Sequence, residues 1–374
     1  MSRSKCDGPR RLPLFDSSFR GDVLMNWDLF FGILLVIAAG AGTGTLAWPM
    51  KLMRTLQFEH YWFVAMLIGL IFIPWSVVAI TVPDFLGAYA EAGWRPLVLA
   101  NVISICWGVA NVLFGVCVLR IGAALTGAIL SGVAVATGVT LPMIVKGSGQ
   151  FSESPGLTSP AGIAILAGVA VMITGVVLCA VAGFGRDKVL ATVDRAARPA
   201  SGGFLGGLIM SVIAGVTSTG ISLSFVYAQK PILDAVESRG ADPIPANVAV
   251  WAAILFGGAC VNLAYPAWLM TKNRSWNMLA ASWLDLGLAA ALGTQIIVSI
   301  ILLGRGMLFL GPLGASVGFG IQQTMQVLGN QAVGFLSGEW RGIHGRPLRQ
   351  MLASVAVLIL AVVVLAFANA LSGK

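Results

Sequence analysis

Polar residues fall in narrow bands along the chain. Between the bands run ten apolar stretches: 29–49, 60–82, 97–119, 122–145, 160–183, 203–228, 246–270, 287–309, 312–336 and 350–371. None alternates with a period of two, so barrel strands are excluded. Each is long enough to carry a helix across roughly 30 Å of hydrocarbon at about 1.5 Å per residue. Hydrocarbon offers no water to backbone N–H and C=O groups, so only helices or closed barrels span it. The pattern therefore predicts an all-α membrane fold of ten transmembrane helices. Residues 1–28 read as a polar N-terminal tail, and 184–202 as a central basic loop between two groups of five spans, 29–183 and 203–371. Tight turns are expected near Arg120 and at Gly311–Pro312. The first apolar run is too long for the core of a signal peptide and reads as a retained span.

The two halves echo one another. Gly32, Ala39 and Gly40 stand 175 residues before Gly207, Ala214 and Gly215, and FGVCVLRIG at 114–122 matches LGRGMLFLG at 303–311. Two echoes in the same order point to an internal repeat. An odd number of spans per half turns the second half over. The expectation is two inverted five-helix repeats, a plan that places a substrate site near the bilayer midplane. Ten spans also put both termini on one side. That side holds 11 Lys and Arg and the other 12, so the positive-inside rule gives no orientation.

Composition removes most other classes. Of 374 residues, 57% are hydrophobic and 10% charged, against about 25% charged in soluble domains. The net charge of +8 reflects Lys and Arg in flanking loops rather than a nucleic-acid surface, since no basic run is dense. The five cysteines form no C-x-x-C pair and read as packing residues. All fifteen Asp and Glu, and both histidines, lie in loops or at span ends. No paired carboxylates, metal cluster or Cys/His pair is available in mid-membrane, so an enzyme, a metal and a cofactor are not expected. Gly40-Ala41-Gly42-Thr43-Gly44 follows no strand, and no G-x-x-x-x-G-K-[ST] is present, so ATP is not the energy source on this chain. The glycines read instead as close helix contacts, as in Gly203-x-x-x-Gly207 and Gly314-x-x-x-Gly318.

What the spans do carry is amides and aromatics. Span nine holds Gln322, Gln323, Gln326, Asn330 and Gln331, with Gln323, Gln326 and Asn330 on one face. Amides both donate and accept, as a neutral polyhydroxylated ligand requires. They serve equally as interhelical glue, and both readings stand. Trp107 and Asn111 share a face of span three, with Asn101 earlier. An indole beside an amide suits a sugar, or is a packed core tryptophan with a satisfied asparagine. Gln295 and Tyr227 are further candidates of the same kind, and Asn262 is as readily structural. Lys51, after Trp48–Pro49, and Lys230, before Pro231, are near-equivalents in the two halves. They are candidates for snorkelling to the interface or for gating. If transport is energised, the titrating groups on offer are Asp28, Glu59, His60 and Asp84, all at span edges.

The order of short motifs resembles the bacterial L-rhamnose–proton symporter family, within the drug/metabolite transporter superfamily. The resembling residues are Pro49-x-Lys51, Ile73-Pro74-Trp75, Pro83-Asp84-Phe85 with Ala88-Tyr89, and Trp107-Gly108-x-x-Asn111 with Gly115 and Gly122. They continue through Ser218-x-Gly220-x-Ser222, Lys230-Pro231, Asp242-Pro243, Gly257-Gly258 with Asn262-Leu263, and Glu339-Trp340. The resemblance implies a central sugar site enclosed by spans one to four and six to nine, alternating access, and L-rhamnose or a related deoxysugar taken up with a proton. It implies an inner-membrane location, with the termini expected at the cytoplasmic side. Export, and uncoupled facilitation, are alternatives on the same fold.

Overall fold

The computed structural model describes residues 27–121, 123–193 and 204–372. The described residues are helices joined by short turns, with no strand among them. In chain order the helices are α1 Trp27–Gly44, α2 Ala47–Leu52, α3 Phe58–Met66, α4 Ile73–Thr81, α5 Phe85–Ala92, α6 Trp94–Ile121, α7 Ala123–Val145 and α8 Pro160–Val193. They continue as α9 Phe204–Ser218, α10 Gly220–Glu237, α11 Pro243–Ile254, α12 Phe256–Lys272, α13 Trp283–Phe309, α14 Gly314–Leu336 and α15 Arg346–Ser372. A π-helical turn, Leu67–Phe72, joins α3 to α4.

Seven helical segments are long and apolar enough to cross a membrane, and the pair α11–α12, bent by 54°, makes an eighth. The chain is thus a multi-pass helical membrane protein. The expected stretches 122–145 and 312–336 hold the helices α7, Ala123–Val145, and α14, Gly314–Leu336. α7 offers only Ile129–Val145 as a shorter apolar helix, and α14 is diluted by its amides. α14 escapes lipid by packing against α1, α7, α13 and α15, which leaves it buried over most of its length. Apolar side chains that remain exposed, such as Ile80, Ile163, Val363 and Phe367, suit a lipid-facing surface.

Two boundaries differ from the sequence expectation. The expected central loop 184–202 is helical as far as Val193, because α8 continues past its apolar core; residues 194–202 lie outside the described set. The expected tail lies outside it too, except Trp27 and Asp28, which open α1.

Three spans are broken, and two of the breaks are held by amides from neighbouring helices. Between α1 and α2, the Gln295 side-chain amide donates to Gly42 O and Thr45 Oγ1, both at 2.8 Å. Between α11 and α12, Asn101 donates to Ala253 O at 2.9 Å and accepts from Gly257 N–H at 2.7 Å. A break frees backbone groups from the helix ladder, and inside a membrane other protein groups must take them up.

Polar contacts among the turns gather at two ends. One end joins Lys51 to Glu339, Arg186 to Glu339, His60 to Ser275, and the backbone of residues 54–56 to Asp285. The other joins Arg239 to Asp84 and Glu91, Gln150 to Leu308, and Ser148 to Val226. We refer to them as the Glu339 face and the Asp84 face.

Several helix crossings rest on glycine pairs. A Cβ on Gly69 would run into Gly293 O of α13, and one on Gly108 of α6 would sit 2.7 Å from Gly258 O of α12. Gly293→Ala should therefore destabilise the detergent-solubilised protein by about 1–3 kcal/mol, the usual cost of overpacking. Gly287→Ala, on the same helix with open space around it, should leave the thermal unfolding midpoint unchanged.

Candidate functional site

A cavity of about 160 Å³ lies among the helices. α6 brings Trp107 and Asn111, α14 brings Phe319, Gln322, Gln323 and Gln326, and α1 with the turn after it brings Thr43 and Leu46. The rest of its wall comes from Trp62 and Met66 of α3, Leu130 of α7, Ser218 and Ile221 near the α9–α10 break, and Ile296, Ser299, Ile300 and Leu303 of α13. Every lining side chain is uncharged.

Geometry explains why α14 can point three amides at one cavity. Gln322 and Gln326 are one turn apart, and the Gln322 amide donates to Thr43 Oγ1 at 2.9 Å and weakly to Gln326 Oε1 at 3.4 Å. Gln322 Oε1 is buried and takes no hydrogen bond among the described residues. An unmet acceptor beside a cavity is open to a ligand hydroxyl or water. Opposite, the Trp62 indole donates to Asn262 Oδ1 at 3.2 Å, and Asn262 donates back to Gly258 O at 2.9 Å. Asn262 therefore holds the Trp62 ring in place and is structural.

The structure brings together Trp107, Asn111, Gln322, Gln323 and Gln326 of the expected site. It does not bring in the other three. Gln295 spends its donor on the α1–α2 break. Tyr227 lies beyond Ile221 on α10, away from the lining. Asn330 is exposed, a turn past Gln326 toward the Glu339 face. Sequence reasoning missed Thr43, Ser218, Ser299 and Trp62. Three are small hydroxyls common in apolar helices, and the fourth sits at a span edge, where tryptophan is expected anyway.

The charged candidates separate. Lys51 binds Glu339 and, at 2.7 Å, Ser337 Oγ, whereas Lys230 pairs with Asp234 on its own helix at 2.8 Å, so the two are not equivalent. Burial raises the Glu339 carboxyl, but hydrogen bonds from Lys51 and Arg186, and their charges, outweigh it and hold it below the ordinary glutamate range. That contribution is present at neutral pH and is lost only as pH falls through the depressed value. Asp28 is exposed, and Asp84 caps α5 while pairing with Arg239 at 3.3 Å. Glu59 and His60 are buried. Glu59 accepts from Asn273 at 3.2 Å, and His60 Nε2 lies 3.0 Å from both Ser275 oxygens.

A bundle of membrane-crossing helices around a neutral, amide-lined cavity defines the class: a multi-pass helical membrane protein with an uncharged polar cavity among its helices. The chain belongs to the L-rhamnose-proton symport protein (RhaT) family, which it matches over residues 25–372. That family consists of inner-membrane transporters, not enzymes. The chain is 25% identical over 351 residues to the L-rhamnose-proton symporter of Klebsiella pneumoniae strain 342, covering 90% of this chain and 97% of that one. It is 24% identical over 344 residues to the symporter of the same name from Pectobacterium atrosepticum, with the same coverage. A third, from Escherichia coli strain ATCC 8739, is 23% identical over 351 residues, again with 90% and 97% covered.

Gln322→Ala removes both the Thr43 bond and the free acceptor. It should lower transport at least tenfold while membrane abundance, read by immunoblot, stays within about twofold of wild type. Tyr227→Phe should leave transport unchanged.

Proposed function

We propose that this chain is a secondary transporter that takes up a neutral deoxysugar, L-rhamnose or a close relative, together with a proton. The observation that carries the reading is the uncharged mid-bundle cavity, lined by amides, hydroxyls and two indoles. Amides and hydroxyls exchange hydrogen bonds with sugar hydroxyls, and an indole face packs on the apolar side of a pyranose ring. The names of the relatives support the same substrate class.

The packing supports ten spans in two inverted repeats, 29–183 and 203–371. α1 packs on α13 and α14, while α9, its counterpart, packs on α6 and α7; α8 and α15 pack on each other. The helix breaks at Thr45–Leu46 and Thr219 agree with the offset of 175 to within a residue or two. That offset carries Thr43 and Leu46 onto Ser218 and Ile221; the offset of 189 between the 114–122 and 303–311 motifs carries Trp107 and Asn111 onto Ile296 and Ile300. All eight line the cavity. A site built from repeat-related residues is what alternating access by rocking of two halves requires.

For coupling, Glu59 is the best placed of the four candidates. It is a buried carboxyl one turn before the cavity residue Trp62. Protonation there is the step we assign to the gradient. On orientation, 11 Lys and Arg on the side of the termini and 12 on the other leave the positive-inside rule balanced.

Proteoliposomes supply the test. Labelled L-rhamnose should accumulate when an inward proton gradient is imposed. No uptake under any condition would remove the substrate, and uptake indifferent to the gradient would leave a facilitator. Glu59→Gln should abolish gradient-driven accumulation yet keep sugar counterflow; normal accumulation in that variant would exclude Glu59 as the coupling group.

A further inference from the structure

The offset of 189 that relates Trp107 to Ile296 also carries Gly69 onto Gly258, and Trp62 onto Trp251. The two glycines occupy matching helix crossings, α3–α4 on α13 and α12 on α6. The two tryptophans do not behave alike. Trp62 lines the cavity, whereas Trp251 is fully buried, its ring stacked on Phe225 with centroids 4.6 Å apart and planes at 17°.

The polar atoms around Trp251 are unmet. Its indole N–H has no hydrogen-bond partner among the described residues, and neither does either amide atom of Asn247, one turn earlier on the same face of α11 and also fully buried. Gly304 lets α13 lie against both: a Cβ there would run into Trp251 Nε1 and come within 3.0 Å of Asn247 Nδ2. Three unmatched polar atoms at one spot are costly in this state and are accounted for if another state satisfies them. The surrounding helices show the same asymmetry. α2 buries none of its residues, while α10, which follows the corresponding break in the second half, buries eleven. The Asp84 half is packed shut, and the cavity borders the half that holds α2.

We propose that Trp251, with Asn247, is the sugar-binding platform of the opposite-facing state. When the Asp84 half opens, Trp251 leaves Phe225 and takes the position in the cavity that Trp62 holds here, and Trp62 becomes buried in its turn. The solute then meets an indole and a free amide from either face. This rests on the sugar-transport reading above, but the opening it requires is testable without any sugar.

Two experiments decide it. Asn247→Cys and Phe225→Cys are exposed to a membrane-impermeant maleimide in vesicles of both orientations, with labelling measured above that of the unsubstituted protein. Leu358→Cys, fully buried in α15 beside Gly175 of α8, is the reference. At least one of the first two should label about tenfold faster than the reference, and from the Asp84 face alone. Labelling no faster than the reference at both positions overturns the proposal, whether or not the protein carries L-rhamnose. In sided transport assays with L-rhamnose, Trp251→Phe keeps a ring and removes the donor. It should raise KM about tenfold for sugar presented at the Asp84 face and leave KM at the Glu339 face unchanged, the size expected for one lost hydrogen bond. An equal change from both faces, or none, would make Trp251 a packing residue only.

Discussion

Inside hydrocarbon a polar group has no water to fall back on, and the arrangement of this bundle follows from that constraint. Backbone groups are met by making the chain helical. Where helices break, the freed groups are met by side-chain amides: Gln295 at the α1–α2 break and Asn101 at the α11–α12 bend. The same constraint sets α14 in the middle. Its amides bar it from lipid, and four neighbouring helices enclose it. The apolar stripes of α8 and α15 need no such protection, and these two helices pack mainly on each other.

Some of these needs are left unmet at the cavity. Gln322 gives its donor to Thr43 but keeps a buried, unpaired acceptor on the cavity. Trp62 is held by Asn262, so its ring is already ordered against the cavity. Charge is kept to the two faces. Lys51 and Arg186 meet Glu339 at one, and Arg239 meets Asp84 and Glu91 at the other, so each cluster ties together helices that are distant in sequence. Ion pairs at such partly exposed positions add modest stability.

Much of this was legible from residue order alone. The apolar stretches marked an all-helical membrane chain, and seven or eight of them are helices long and apolar enough to cross, because length and apolarity are what a bilayer demands of any helix that crosses it. Fifteen acidic residues confined to edges removed the enzyme readings, because catalysis needs a titrating group where the substrate sits. The five amides of span nine marked the one helix that could not face lipid, although the sequence could not say which of them face a cavity. Helix phase names a face and not its neighbour. Gln323 and Gln326 meet the cavity, while Asn330, on the same face, lies past its end.

What only the tertiary structure decided is which polar groups are spent on the protein and which are left over. Gln295 and Gln322 are the same residue type at similar depth, yet one is consumed by a helix break and the other keeps an acceptor on the cavity. Trp62 and Trp251 stand 189 positions apart and are both tryptophans, yet one lines the cavity with its N–H bonded to Asn262 while the other is stacked under Phe225 with its N–H unmet among the described residues. Composition and spacing determine which groups must avoid lipid, since that is a property of each residue. Whether a group is then satisfied depends on distances of about 3 Å to atoms some 150–280 positions away, and only the packed bundle sets those.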